Sequence, residues 1–420
     1  MSEPLPGTDR GATRPLRVLY VMHNAAPGGA ARSLLALLRA LPPGSVEPTV
    51  LAPDGPALEY FRADGIAVRR IPAVAMFQSI AGLPLRGARL ADLARLAWNA
   101  RHGKVLRDAI AAVGPDLIHL NDRGMLHAAS IARERNVPVV MHARCVADRT
   151  TGWAHRFTVR QLRRLADRVV AIDESVRWSL RELDHCEIVY NPVLAGPAHQ
   201  AARVSDQRVR VTYLGNLAAH KGVWDLLACV ERLRDRSDIV FQIAGGNPRP
   251  PDFYRSVVGR VAALFGVARN LEQGLRDRVV SRGLESRVEF LGHVEDVDAV
   301  LARTDVLIFP SHLNGPGRSV FEAGIVGVPS IVSLVDRIED VVRDGVTGLI
   351  VPERDPAALA AAVRRMADDP ALRRRLGQAA RAQYAEQFAP QPIGQKMLDL
   401  YRAVLAGGHA GRALEPATAA

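Results

Sequence analysis

The sequence predicts an α/β protein of two Rossmann-like, doubly wound parallel-sheet domains that face each other across a cleft. Three observations carry that prediction. The chain has 420 residues, more than one ordinary core accommodates. Short apolar runs of β character alternate with stretches of helical periodicity, the pattern of parallel strands covered on both faces. The alternation also stops near residue 200 and then begins afresh.

Taken in order, "LRVLYVMHN" (16–24) reads as a buried strand. It runs into "APGGAARSLLALLRAL", where glycines make a tight turn and leucines then recur at helical spacing. Further strands are expected at "VEPTVLAP", "DLIHLND", "VPVVMHA", "RVVAID" and "EIVYNP", separated by helical stretches such as "GARLADLARLAWNARHGKVLRDAIAAV". The second cycle opens with the strand "VRVTYLG" (209–215), the helix "KGVWDLLACVERLRD" and the strand "IVFQIAGG". It continues through "RVEFLG", "DVLIFPS", "PSIVS" and "GLIVP". Residues 247 to about 287 exceed a usual connection and read as a helical excursion. The expected layout is a tail (1–15), a first domain (16–200), a second domain (201–388), a final helix able to cross back (389–407) and a tail (408–420).

Composition narrows the class. Hydrophobic content of 48% and charged content of 24% belong to a globular protein. No apolar run reaches the roughly 20 residues that span a bilayer. The first residues lack the apolar segment of a signal peptide, and three widely spaced cysteines read as reduced thiols, so a cytoplasmic location is expected. The net charge of +11 attracts phosphates or anionic lipid. No helix-turn-helix signal or basic stripe interleaved with aromatics supports a nucleic-acid partner.

Chemistry concentrates in the second half. "YLGNLAAHKGVWDLL" puts Lys221 just before a helix, after a strand and a flexible turn. "PSHLNGPGRSVFEAGIVGVPSIV" supplies a second such turn at Gly315 to Gly317, and the helix that follows carries Arg318, Ser319 and Glu322. Helix starts offer free N–H groups and the positive end of a dipole, which suit a pyrophosphate. A carboxylate one turn in suits a pair of ribose hydroxyls.

On these motifs the chain resembles the family 4 glycosyltransferases of the GT-B fold. That family typically shows G-R-x-x-x-x-K-G, followed by P-S-x-x-E-G-F-G-L-P-x-L-E-A. The resemblance runs from Leu16 to about Phe388 and includes "RDGVTGLIVPERDPAALAAAV". It implies that Lys221 binds the donor diphosphate and Glu322 the ribose. Backbone around Gly315, Gly317, Arg318 and Ser319 would hold phosphate and sugar. Gly292, His293 and Val294 would edge the base, and Gly28 and Gly29 would lie near the phosphates. Asn191 would sit at the hinge, and His119 and His142, at strand ends, would reach the sugar. It further implies a retaining transfer from a nucleotide sugar to a hydroxyl on a sugar, glycan or lipid-linked glycan, in polysaccharide or glycolipid biosynthesis, with no cofactor and no metal required.

Three asparagines depart from the pattern. Asn216 replaces the usual arginine partner of the lysine, Asn314 the first glutamate of the E-x7-E pair, and Asn121 a second histidine. Arg318 is expected to restore the charge missing at 216, and Asn121 and Asn314 to keep catalytic hydrogen bonds. A non-catalytic sugar-nucleotide binder or a sugar-nucleotide epimerase is the rival reading. Asp296 and Asp298 spell D-x-D but read as an acidic helix start. Finally, "WAHRFTVRQLRRLADRVV" sets Trp153, Phe157, Leu162 and Leu165 against five arginines. This basic amphipathic helix suits an anionic membrane surface or, in the plainer reading, covers a core with its arginines solvated.

Overall fold

The computed structural model describes residues 14–23, 25, 28–74, 76–77, 85–147, 152–193, 208–247, 251–264, 270–313, 315–334 and 339–407. The first sheet holds β1 (Leu16–Val21), β2 (Val46–Ala52), β3 (Ala67–Arg70), β4 (Leu117–Leu120), β5 (Val139–Ala143), β6 (Arg168–Ala171) and β7 (Cys186–Ile188). Around it lie α1 (Gly29–Ala40), α2 (Pro56–Ala63), α3 (Leu85–Val113), α4 (Leu126–Glu134), α5 (Trp153–Leu165) and α6 (Glu174–Ser179). All its ladders are parallel, in the order β3-β2-β1-β4-β5-β6-β7. The order reverses between β1 and β4, which opens a crevice at the strand C-termini.

The second sheet is also parallel, in the order β10-β9-β8-β11-β12-β13. Its strands are β8 (Val209–Leu214), β9 (Ile239–Ala244), β10 (Val288–Gly292), β11 (Val306–Phe309), β12 (Ser330–Ser333) and β13 (Gly348–Val351). Its first helices are α7 (Val223–Arg232), α8 (Pro251–Arg255), α9 (Val257–Leu264), α10 (Leu271–Ser281) and α11 (Val297–Leu301). α12 (Arg318–Ile325), α13 (Pro356–Asp368), α14 (Pro370–Gln387) and α15 (Pro390–Ala406) complete the chain. The excursion after residue 247 contains α8, α9 and α10. Residues 1–13 and 408–420 and the join at 194–207 lie outside the described residues, while Arg14, near the end of the first tail, pairs with Asp116 at 2.8 Å.

The central strands are buried along their whole length: Leu117–Leu120, Val139–Ala143 and Val306–Phe309 have no exposed residue. That burial explains why they read as apolar runs. α15 belongs to the first domain's core. Its Ile393, Met397, Tyr401 and Val404 pack with Val18, Tyr20, Leu34 and Phe61. The approach is tight at Gly394, where a Cβ would meet the Ala40 carbonyl oxygen at 1.7 Å, so only glycine fits. At the hinge the Val193 N–H donates to the Phe388 carbonyl at 3.2 Å, and Tyr190 meets the Phe388 ring edge-on at 5.4 Å.

Candidate active site

A cavity of about 240 Å³ lies between the two domains. The first domain lines it with Gly29, Ala30, Ser33, Arg144, Cys145, Val146, Ile172, Asp173, Val176 and Asn191. The second contributes Lys221, Leu313, Gly315, Pro316, Gly317, Arg318 and Phe321. Two helix starts therefore converge on it, α1 with Gly28 at its N-cap and α12 with Gly317 at its N-cap. A Cβ at Gly28 or Gly29 would meet nothing within 4 Å, so the space before α1 is open. Neither cap has a side-chain hydrogen bond, which leaves those N–H groups for an anion.

Lys221 reaches the cavity because of Gly222. That glycine takes φ +69° and packs so closely on β11 that a Cβ would lie 1.8 Å from the Pro310 carbonyl oxygen. The Lys221 ammonium lies 4.9 Å from the centre of the Phe309 ring. No carboxylate pairs with it among the described residues, and burial lowers its pKa from the usual lysine value. A half-buried cation without a carboxylate partner is well suited to an incoming anion.

Glu322 binds arginines from both domains. Its Oε1 accepts from Arg318 Nε at 2.8 Å and from Arg32 Nη2 at 3.3 Å. Arg318 Nη1 also donates to Ser33 Oγ at 2.9 Å, across the cleft. Arg318 thus lines the cavity with its charge already balanced, so in this state it does not supply the cation missing at Asn216. Asn216 is exposed and lies off the cavity wall, with its carbonyl accepting from the Tyr213 hydroxyl at 2.8 Å. Gly292 ends the edge strand β10, His293 and Val294 follow it, and all three lie outside the cavity lining. Ser319 is buried in the first turn of α12. Asn314 lies outside the described residues.

The histidines have a different setting from the one expected. His119 and His142 are buried away from the cavity, and their ring nitrogens are joined at 3.1 Å. His119 Nδ1 is 2.8 Å from the Tyr401 hydroxyl, which donates on to Tyr20 at 3.3 Å. The assignment that satisfies this chain puts a proton on Nδ1 of both rings. Burial pushes His119 down to about 3 and His142 well below its ordinary value, so both are neutral at pH 7. The reason is tertiary: α15 covers the position from which His119 would have reached a sugar.

Asn121 is likewise fully buried, and it acts through Arg144. Its Oδ1 accepts from Arg144 Nε at 3.0 Å and from Nη2, while its amide donates to the Ala30 carbonyl at 3.2 Å. Arg144 Nη1 donates to Asn191 Oδ1. Sequence reasoning passed over Arg144; the signal was an arginine one residue beyond the apolar strand "VVMHA". Asp173, the one acid among the described lining residues, caps α6 by accepting from Val176 N at 2.7 Å. Burial, followed by the nearby Asp340 charge, pushes its carboxyl up to about 7. Asp296 caps α11 through the Ala299 N–H at 2.9 Å, which accounts for the first acid of D-x-D.

Two facing parallel-sheet domains, with helix starts and a lysine converging on the gap, define the GT-B architecture. Known proteins agree. The Glycosyltransferase Family 4 model matches residues 27–194, and the Glycosyl transferases group 1 model matches residues 198–383. The glycogen synthase of Mycobacterium tuberculosis is 28% identical over 315 residues, covering 70% of each chain. The 2-deoxystreptamine N-acetyl-D-glucosaminyltransferase of Streptomyces fradiae is 26% identical over 92% of this chain and 94% of its own. In fold, the chain resembles Anabaena HepE, solved in complex with UDP-glucose, with a TM-score of 0.72. That match has 19% identity and covers 92% of this chain and 100% of HepE. The chain is a GT-B glycosyltransferase, a family 4 domain followed by a group 1 domain.

Proposed function

We propose that the protein transfers a hexose-type sugar from a nucleotide-sugar donor to an acceptor hydroxyl with retention of configuration, in polysaccharide or glycolipid biosynthesis. The observation that carries this is the convergence of Lys221 and the starts of α1 and α12 on one interdomain cavity. Fixed donors there stabilise the charge that grows on the diphosphate as the glycosidic bond breaks. The acceptor oxygen forms its bond to C1 on the face the leaving group vacates, and its proton passes to the departing phosphate oxygen. Asp173 is committed to its helix cap, which disfavours a covalent sugar–carboxylate intermediate.

Glu322 Oε2, opposite the oxygen held by the arginines, is the acceptor for ribose hydroxyls. The protein's own cations supply the charge a metal would bring, so transfer is expected to persist in EDTA. HepE's complex with UDP-glucose makes uridine nucleotides the first to screen. A thermal-shift panel of nucleoside diphosphates, followed by transfer assays, tests the reading. Nucleotide binding with no turnover over a broad acceptor panel would favour a binding protein instead.

The outward face of α5 supports a membrane-borne acceptor. Leu162 and Leu165 turn inward, while Trp153 and Phe157 are 56% and 40% exposed beside Arg156, Arg160 and Arg164. No described helix is long and apolar enough to cross a membrane. A face of this kind lies on an anionic surface. Sedimentation with anionic and neutral liposomes decides it, and equal, negligible binding to both would end the idea.

A further inference from the structure

Arg144 is the cavity cation that the donor reading leaves without a task. It stands one residue past β5, on the first-domain wall. Its guanidinium is held flat by two neutral oxygens, Asn121 Oδ1 from the end of β4 and Asn191 Oδ1 from beyond β7. Those contacts use one hydrogen each on Nε, Nη1 and Nη2. One hydrogen on each terminal nitrogen remains without a partner among the described residues, and these are donors suited to a carboxylate or phosphate.

No ion pair neutralises this charge among the described residues, and the Asp122 carboxylate acts on it only from beyond ion-pair distance. Arg318 is a neighbouring cation, and Asp173 is only partly ionised near pH 7. Burial, opposed by the Asp122 charge and aided by Arg318, pulls the guanidinium down to about 9, which still leaves it charged at neutral pH. A side chain meant only to brace three loops would be cheaper with an aspartate at 121, because a buried cation with neutral partners is a standing cost. The donor reading already assigns the diphosphate to Lys221 and the starts of α1 and α12.

We propose that Arg144 is the receptor for a second anionic group of the substrate, a carboxylate or phosphate carried on the transferred sugar or on the acceptor. This rests on the donor reading above. Arg144 is thereby the specificity residue of the first domain, and Asn121 and Asn191 are positioning residues that aim its fork into the cavity.

The test is calorimetry on the full chain, comparing wild type with Arg144→Gln and Asn121→Asp. The second variant keeps the shape of the brace and supplies the missing counter-ion. The donor arm compares UDP, UDP-glucose and UDP-glucuronate; the acceptor arm titrates inorganic phosphate into the UDP-saturated protein. Wild type is expected to favour UDP-glucuronate over UDP-glucose at least tenfold, or to bind phosphate in the UDP complex. The first outcome places the anion on the sugar, the second on the acceptor. Both variants lose that response while UDP affinity changes less than threefold, and Asn121→Asp melts higher without ligand. A response that survives in Asn121→Asp would overturn the proposal, as would none in either arm with UDP binding intact. An equal loss of affinity for UDP and every other probe would do the same, by assigning Arg144 to the diphosphate. If wild type bound no UDP, the donor reading would fail along with this one.

Discussion

Replacing Lys221 with methionine separates a ligand-binding lysine from a structural one. The lysine is half-buried, has no carboxylate partner among the described residues, and places its ammonium 4.9 Å from the centre of the Phe309 ring. Methionine retains the stem and a sulfur–aromatic contact while removing the charge. A hydrogen bond to a charged group contributes about 1.5–3 kcal/mol, so nucleoside-diphosphate affinity should fall roughly 10- to 150-fold. The free protein should move the other way, with a higher melting temperature, because an uncompensated buried charge has gone. Calorimetry gives the affinity and a melt without ligand gives the stability. The pH dependence has a definite sign. Burial lowers the lysine pKa, so binding is strongest below that value and weakens as pH rises through it, short of the usual 10.5. That alkaline limb should be absent from the variant. A lower melting temperature with undiminished ligand affinity would refute the reasoning and make Lys221 a brace.

Tyr401→Phe removes the hydroxyl between His119 and Tyr20, and the stranded partners should cost about 1–3 kcal/mol in denaturant unfolding with little change in nucleotide affinity. Asp173→Asn keeps an oxygen for the Val176 N–H and removes a carboxylate whose folded pKa is raised to about 7. The folded wild type alone holds that proton between the unfolded value near 3.8 and 7, so its stability should gain on the variant as pH falls through that window. Above pH 7 the variant should be the more stable, and parallel unfolding curves across pH 4–8 would contradict this. Exchanging Arg156, Arg160 and Arg164 for glutamate should abolish sedimentation with anionic liposomes and leave the melting temperature within a few degrees, since all three are exposed. Arg32→Ala removes a partly exposed ion pair worth at most about 1 kcal/mol and leaves Glu322 Oε1 held by Arg318 with Oε2 still open, so nucleotide affinity should change less than about threefold; a larger fall would argue that Arg32 binds the donor itself.

The strands were legible wherever burial on both faces made them continuously apolar, as in "DLIHL", "VPVVMH" and "DVLIF". β3 was not, because "AVRR" is a four-residue edge strand with little buried surface to mark it. Lys221, Gly317 and Arg318 could be found because local turns place them, each at the start of a helix after a strand. Arg144 could not, since what makes it a site is the meeting of residues 121, 144 and 191 from three separate strand ends. His119 misled for the same reason. Its fate depends on Tyr401, 282 residues later, on a helix that returns to the other domain. In α5 the helical period was correct, but the apolar residues divide between two faces, which only the packing against the sheet reveals.

The second domain is joined to the first at more than the hinge, and this bears on how the cleft closes. Arg32 and Ser33 of α1 reach Glu322 and Arg318 at the start of α12, while Asp340 accepts from the Glu174 N–H at 2.8 Å and from Tyr190 at 3.4 Å. α15 fixes the returning chain to the first domain's core, and near residues 193 and 388 backbone and ring contacts join the halves. The polar contacts at the cleft mouth are few and partly exposed, so they hold the domains together only weakly. A diphosphate held by helix starts from both domains would add charge-assisted bonds on each side of the same gap, and these are stronger than the ones it finds there. Donor binding is therefore expected to tighten the contact between the two domains.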